Sequence, residues 1–142
     1  MRAVTKYLQY LVIVLAVIIA VLYVMNVNQP YYQDMNTSVL MVILAAVFAA
    51  TLPLVLKSND RMIQILSDVS RIIAPTLIIF AGIKFLSMRV ESFGYIFASN
   101  LEAGNDAAMT AAVQAVWLLV LFVITWIISV IVSFFKINLS RY

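Results

Sequence analysis

The sequence predicts an all-α integral membrane protein, one bundle of four transmembrane helices with both termini on the cytoplasmic side. Three observations lead there. The 142 residues are 65% apolar and only 11% charged, with a mean hydropathy of +1.09, too little polar surface to cover a soluble core of that size. Four apolar runs approach the ~20 helical residues that cross ~30 Å of hydrocarbon. Most basic residues fall at one end of these runs.

The first run, "YLQYLVIVLAVIIAVLYVM", covers about 7–25. Arg2 and Lys6 precede it as in a signal peptide. The apolar core is too long for one, however, and no A-x-A site follows, so an uncleaved first helix is expected. The second run covers about 38–57, the third about 70–90 and the fourth about 111–135. The link "KSNDR" between the second and third is short enough to make a tight antiparallel hairpin. The next stretch, about 60–71, is amphipathic: Arg61, Gln64, Asp68 and Arg71 follow helical spacing among apolar neighbours. It is either a separate interfacial helix or the start of one long third helix bent near Pro75, and the single helix is the preferred reading.

Orientation follows from charge. With the N-terminus inside, Arg2, Lys6, Lys57, Arg61, Arg71, Lys136 and Arg141 lie on the cytoplasmic side, and only Lys84 and Arg89 lie towards the other face. The expected location is the cell membrane, plasma or inner. Tyr7 and Tyr10 are assigned to the inner aromatic belt and Tyr23 to the outer one. Between the third and fourth helices, "ESFGYIFASNLEAGND" reads as an outer connection, with Asn105 or Asp106 capping the fourth helix.

Lipid tails give helices no hydrophobic reason to meet, so close approach at small residues matters more. Ala16 and Ala20, Ala45, Ala46, Ala49 and Ala50, Ala74 and Gly82, and Ala107, Ala108, Ala111, Ala112 and Ala115 supply such faces. Thr125, Ser129 and Ser133 recur at four-residue spacing on the fourth helix, either as a stripe for a partner helix or bonded to their own backbone. Pro53 and Pro75 are expected at one depth near the cytoplasmic boundary. There each frees a backbone carbonyl, and together they could open a small vestibule.

The chain has no cysteine and no histidine. That excludes disulfides, thiolate or imidazole metal sites and the Ser–His–Asp and Cys–His mechanisms. No cofactor or metal is expected, no catalytic constellation is present, and no basic surface suits nucleic acid. The candidate polar residues are few. Arg71 and Lys84 are separated by about 20 Å of helix and read first as cations reaching for the two membrane edges, with an inward-facing Lys84 as the alternative. Asp68 and Arg71 can pair at i, i+3. Gln114 lies inside the outer end of the fourth helix and needs a hydrogen-bond partner. Glu91, Glu102 and Asp106 could converge on a cation at the outer face.

The functional expectation is a small non-catalytic accessory or scaffold subunit of a larger membrane complex, with a transporter as the first candidate. Its contacts would be lipid and partner subunits. The alternative is a homo-oligomeric transporter or channel whose path uses Lys84, Gln114, Thr125 and the prolines. A membrane enzyme comes last.

Overall fold

A computed structural model describes residues 2–56 and 60–139. Its helices are α1 (Arg2–Val27), α2 (Thr37–Val55), α3 (Arg61–Phe97) and α4 (Asp106–Leu139). All four are long and apolar enough to cross a membrane. Lys57, Arg141 and most of the "KSNDR" link lie outside the described residues, as do the side chains of Arg2 and Lys136.

Three helix starts are capped by side chains that accept a backbone N–H. Asn36 accepts from Ser38 (3.0 Å), Asp60 from Met62 (3.1 Å), and Asn105 from Ala108 (3.1 Å). Asn105, rather than Asp106, therefore starts α4. The amphipathic residues from 61 to 71 belong to the same unbroken helix as the apolar run after them. At its other end α3 outruns the expected boundary and absorbs residues 91–97, which the sequence reading gave to a loop. The Tyr95 hydroxyl donates to Glu91 one turn back (2.6 Å), and the Ala98 N–H closes the end on Gly94 O.

Each helix packs on its chain neighbours, and α1 also packs on α4, so the four close into a ring. The distribution of side-chain size is inverted relative to a soluble bundle. Ala16, Ala46, Ala49, Ala50, Ala74, Ala81, Ala108, Ala111, Ala112 and Ala115 point inwards and are buried, whereas Phe48, Trp117 and Ile83 point outwards and are exposed. Ala45 and Ala107, on the wrong side of their helices, stay outside. Inward alanines bring the helix backbones close. Gly82 of α3 lies against α4: a Cβ there would be 3.3 Å from the Phe122 ring. That ring in turn stacks obliquely on Phe85, whose edge-to-face partner is Tyr23 of α1.

Gly82→Val should therefore displace Phe122 and destabilise the bundle by about 1–3 kcal/mol, the usual range for overpacking. The shift is read as a lowered thermal midpoint in detergent. Phe122→Leu in the same chain should recover part of the loss, and no recovery would mean that the two residues do not compete for space.

Candidate functional site

Most polar side chains buried inside the bundle gather in two layers, one at each end, labelled outer and inner after the orientation expected from the sequence; Thr125 is buried between them. The outer layer forms around Arg89, the largest side chain with no exposed surface. After α1, the chain turns back through Gln33, whose φ of 44° is an uncommon left-handed conformation for a residue with a Cβ. The Asp34 N–H then donates to Val27 O at 3.0 Å, which folds the connection over the helix end. Asp34 is thereby aimed at Arg89 and takes both guanidinium ends, Nη1 to Oδ2 at 2.7 Å and Nη2 to Oδ1 at 3.1 Å. Nε donates to Asn26 Oδ1 at 2.9 Å. Tyr32 covers one face of the guanidinium, its ring centroid 3.6 Å from Cζ, with Phe85 at 5.1 Å. A planar fork with five donors can be satisfied in this way, whereas an ammonium could not.

The network continues into α4. The Asn26 amide nitrogen donates to Ala111 O and to Gln114 Oε1, each at 3.0 Å, and Gln114 Oε1 also accepts from Gln29 at 3.0 Å. Ser92 donates to Arg89 O, so its oxygen is left to accept from the Tyr32 hydroxyl at 3.0 Å. Burial raises the Tyr32 phenol above its ordinary pKa, against the opposing pull of the Ser92 bond and of Arg89, so the group stays a neutral donor at physiological pH. Tyr23, expected in the outer aromatic belt, is instead buried. Its hydroxyl donates to Asn36 O (2.9 Å) and accepts from Asn36 N (3.2 Å). The correction has a plain cause: the α2 cap offers a backbone pair that an interfacial tyrosine would have sought in water.

The inner layer repairs one proline, Pro75, and braces the helix beside the other. Pro75 has no N–H for Arg71 O, four residues back. The Ser133 hydroxyl of α4 reaches that carbonyl and also lies 2.9 Å from Ser129 O. Ser129 O already has the α4 amide of Ser133, so the proton is needed at Arg71 O. In α2, Gln9 of α1 donates to Ala50 O at 2.6 Å; the carbonyl that Pro53 leaves without its helical donor is Ala49 O, so this bond ties α1 to α2 beside the proline without replacing the lost one. Both prolines are buried. The cavity beside Pro75 opens between α3 and α4 and has no lining from α2, so it is not the vestibule the proline pair suggested. Arg71 is also nearly buried. Nη1 pairs with Asp68 at 2.6 Å, while Nε has no hydrogen-bond partner. It cannot be the freely extended cation of the sequence reading.

The remaining predicted residues divide. Gln114 joins α4 to α1, as its position demanded. Lys84 faces outwards, its ammonium 5.6 Å above the Phe80 ring, on the side of α3 away from both layers. Thr125 is fully buried with an unpartnered hydroxyl, apart from Gln114 and the prolines. Glu91 and Glu102 bond to their own neighbours, Tyr95 and Asn105, and no group of three potential metal ligands forms among the described residues.

Arg89, Asp34 and Asn26 were missed. One signal was available for Arg89: it stands seven residues after Gly82 and four after Phe85, on the face carrying Ala74 and Ile78, whereas Lys84 falls out of phase. Nothing in the spacing of Asp34 marks it, because a turn delivers it.

Comparison with protein-family models, curated proteins and solved structures gives no match for this chain.

Asp34→Asn should leave the Arg89 charge buried without a counter-ion. Loss of one partner of a buried pair costs about 3–5 kcal/mol, and with the Asp34 side chain 40% exposed a smaller loss, about 2–3 kcal/mol, is expected. Arg89→Met combined with Asp34→Asn should lose less than the sum of the single changes, measured as a double-mutant cycle on thermal midpoints. Additive losses would contradict the coupling. At the inner layer, Ser133→Ala should cost about 1 kcal/mol in the natural background and close to nothing beside Pro75→Ala, where Arg71 O regains its own amide. Equal costs in both backgrounds would show that Ser133 does not serve that carbonyl.

Proposed function

We propose that the chain is a four-span protein of the cell membrane, with both termini cytoplasmic, that acts as a non-catalytic accessory or scaffold subunit of a larger membrane complex, a transporter first among them. The observation that carries the reading is the disposition of its charge. Among the described residues the buried charged side chains are Arg71 and Arg89, each engaged by a carboxylate of the same chain. Eighteen residues of α3 separate them, about 27 Å, close to the ~30 Å of a hydrocarbon core.

Between them the interior is filled mainly by Ala16, Ile19, Ile43, Ala46, Ile78 and Leu118, with the buried Thr125 hydroxyl among them. Polar groups positioned to tie helices together at two edges, over an apolar middle, suit a structural part better than a solute path or a reaction centre. Apolar side chains turned outwards support insertion, and the basic bias of the inner segments supports the orientation.

The deciding experiment is extraction from native membranes into mild detergent through a C-terminal tag, followed by the mass of the intact assembly. A heteromeric complex larger than the 15.9 kDa chain is expected, together with no solute flux in liposomes that hold this chain alone. A homo-oligomer that supports flux would replace the subunit reading with that of a self-sufficient transporter.

A further inference from the structure

Between the two layers, among the described residues, one basic or acidic side chain occurs, that of Lys84 on α3. Its depth is set by the helix. Phe80 stands nine residues from Arg71 and nine from Arg89, about 13 Å from either, and so marks the midpoint of the span. Lys84 lies one turn beyond it, about 7 Å short of Arg89. The helix α3 runs from the inner end to the outer, and Cα–Cβ bonds lean towards the N-terminus of their helix. The lysine stem therefore leaves the backbone pointing back towards the middle. Its ammonium comes to rest 5.6 Å from the centroid of the Phe80 ring. A lysine reaching for the outer edge would turn the other way.

No carboxylate pairs with this ammonium among the described residues. Asp34 and Asp68 hold the two arginines, and Glu91 takes the Tyr95 hydroxyl. The Phe80 ring eases the cation without neutralising it. Lys84 is exposed on the outside of the bundle, as are Phe80 and Ile83 beside it. Charged groups at such a depth nearly always face a protein interior or meet an opposite charge, so the missing charge has to come from outside this chain. A second copy has none to give. Of the six acidic residues, Asp34, Glu91, Glu102 and Asp106 lie at or beyond the outer layer, and Asp60 and Asp68 at or beyond the inner one. Along α3 the nearest to Phe80 is Glu91, eleven residues away, about 16 Å, so neither orientation of a copy brings a carboxylate to the midpoint. Lipid phosphates lie outside the hydrocarbon, about 15 Å from its middle, in the direction from which the ammonium is turned away. A carboxylate on a membrane-spanning helix of another protein does reach that depth. Ser87, one turn past Lys84, is small and exposed, and its hydroxyl already donates to Ile83 O at 3.0 Å, so a helix can approach closely there.

We propose that the Lys84 face of α3 is a docking surface for a membrane-spanning helix of a partner protein, and that this helix carries an aspartate or glutamate near mid-span that pairs with Lys84. The proposal rests on the subunit reading above. It adds to that reading the chemistry of the partner and the side of the bundle on which the partner sits.

The test uses the full tagged chain in its native membranes, treated with dicyclohexylcarbodiimide, an apolar reagent that activates carboxyl groups. The partner's carboxyl adds to the carbodiimide as an O-acylisourea. The Lys84 nitrogen then attacks the acyl carbon, dicyclohexylurea leaves with the proton, and an amide bond joins the two chains. Digestion and tandem mass spectrometry should place that bond between Lys84 and an Asp or Glu within an apolar segment of another protein. Lys84→Arg keeps the charge, so it should remove the cross-link and retain the heteromeric assembly in mild detergent. Lys84→Met strands the partner's carboxylate in hydrocarbon and should lower recovery of the assembly about tenfold or more. The thermal midpoint of the isolated chain should not change in either variant, because the side chain is exposed. Undiminished assembly with Lys84→Met would overturn the pairing and leave the subunit reading standing. So would Lys84 joined to the carboxyl of a lipid headgroup, or rapid labelling of Lys84 by a membrane-impermeant amine reagent, which would put its ammonium at the membrane edge. A natural chain that extracts with no partner would overturn the subunit reading itself, and the proposal with it.

Discussion

The buried guanidinium of Arg89 is the contact on which the outer half of the molecule depends. A charge with no exposed surface persists only if its donors are all directed at acceptors. Here that requirement recruits α1 through Asn26, the first connection through Asp34 and Tyr32, and α4 at one remove through Gln114. The connection between α1 and α2 has no apolar core of its own. Its left-handed turn at Gln33, a local strain of about 1 kcal/mol or somewhat above, is tied down by the Asp34–Arg89 pair beyond it. One side chain thus sets the register of three helices and the shape of a loop.

The inner half meets a different demand in a different way. Two prolines leave backbone acceptors without their helical donors, and an apolar bundle offers no water to replace them. Ser133 supplies the missing proton at Arg71 O, and Gln9 adds a bond to Ala50 O one residue from the carbonyl that Pro53 leaves. Each bond is a cross-link, α4 to α3 and α1 to α2, placed beside a proline that weakens its own helix. The two halves also differ in bulk. Tyr23, Phe85, Phe122 and Arg89 join Ala108, Ala111, Ala112 and Ala115 of α4 in the outer half, whereas Ser67, Ser70, Ala74 and Pro75 lie beside Arg71 in the inner one.

These two layers frame the functional reading. Most of the polar chemistry inside the molecule ties helices together, Thr125 and the Arg71 Nε excepted, and the surfaces left open are mainly apolar. Such a chain would act through what it packs against, lipid or a neighbouring subunit. The outward Lys84 stands apart from both layers, and its role belongs to the surroundings of the bundle rather than to its interior.

The number of helices and their approximate extents were legible in the sequence, because each depends on local properties, run length and apolarity; which face of each helix turns inwards was not, and Ala45 and Ala107, grouped with the inward alanines, lie outside. The pairing of Asp68 with Arg71 and the stitching role of Gln114 were legible from position along a single helix. The identity of the central charge was not. Arg71 and Lys84 drew attention as the charges bounding an oily stretch, yet five residues decide whether a cation on α3 faces in or out, and it is Arg89 that faces in. Asp34 and Asn26 become its partners through a turn and a diagonal contact between α1 and α3, 55 and 63 residues distant in the chain. The repair of Pro75 by Ser133 spans 62 residues. The sequence by itself determined where helices form. Only the tertiary structure decided which polar groups meet, because a hydrogen bond depends on positions within a few tenths of an ångström that no periodicity along one helix can supply.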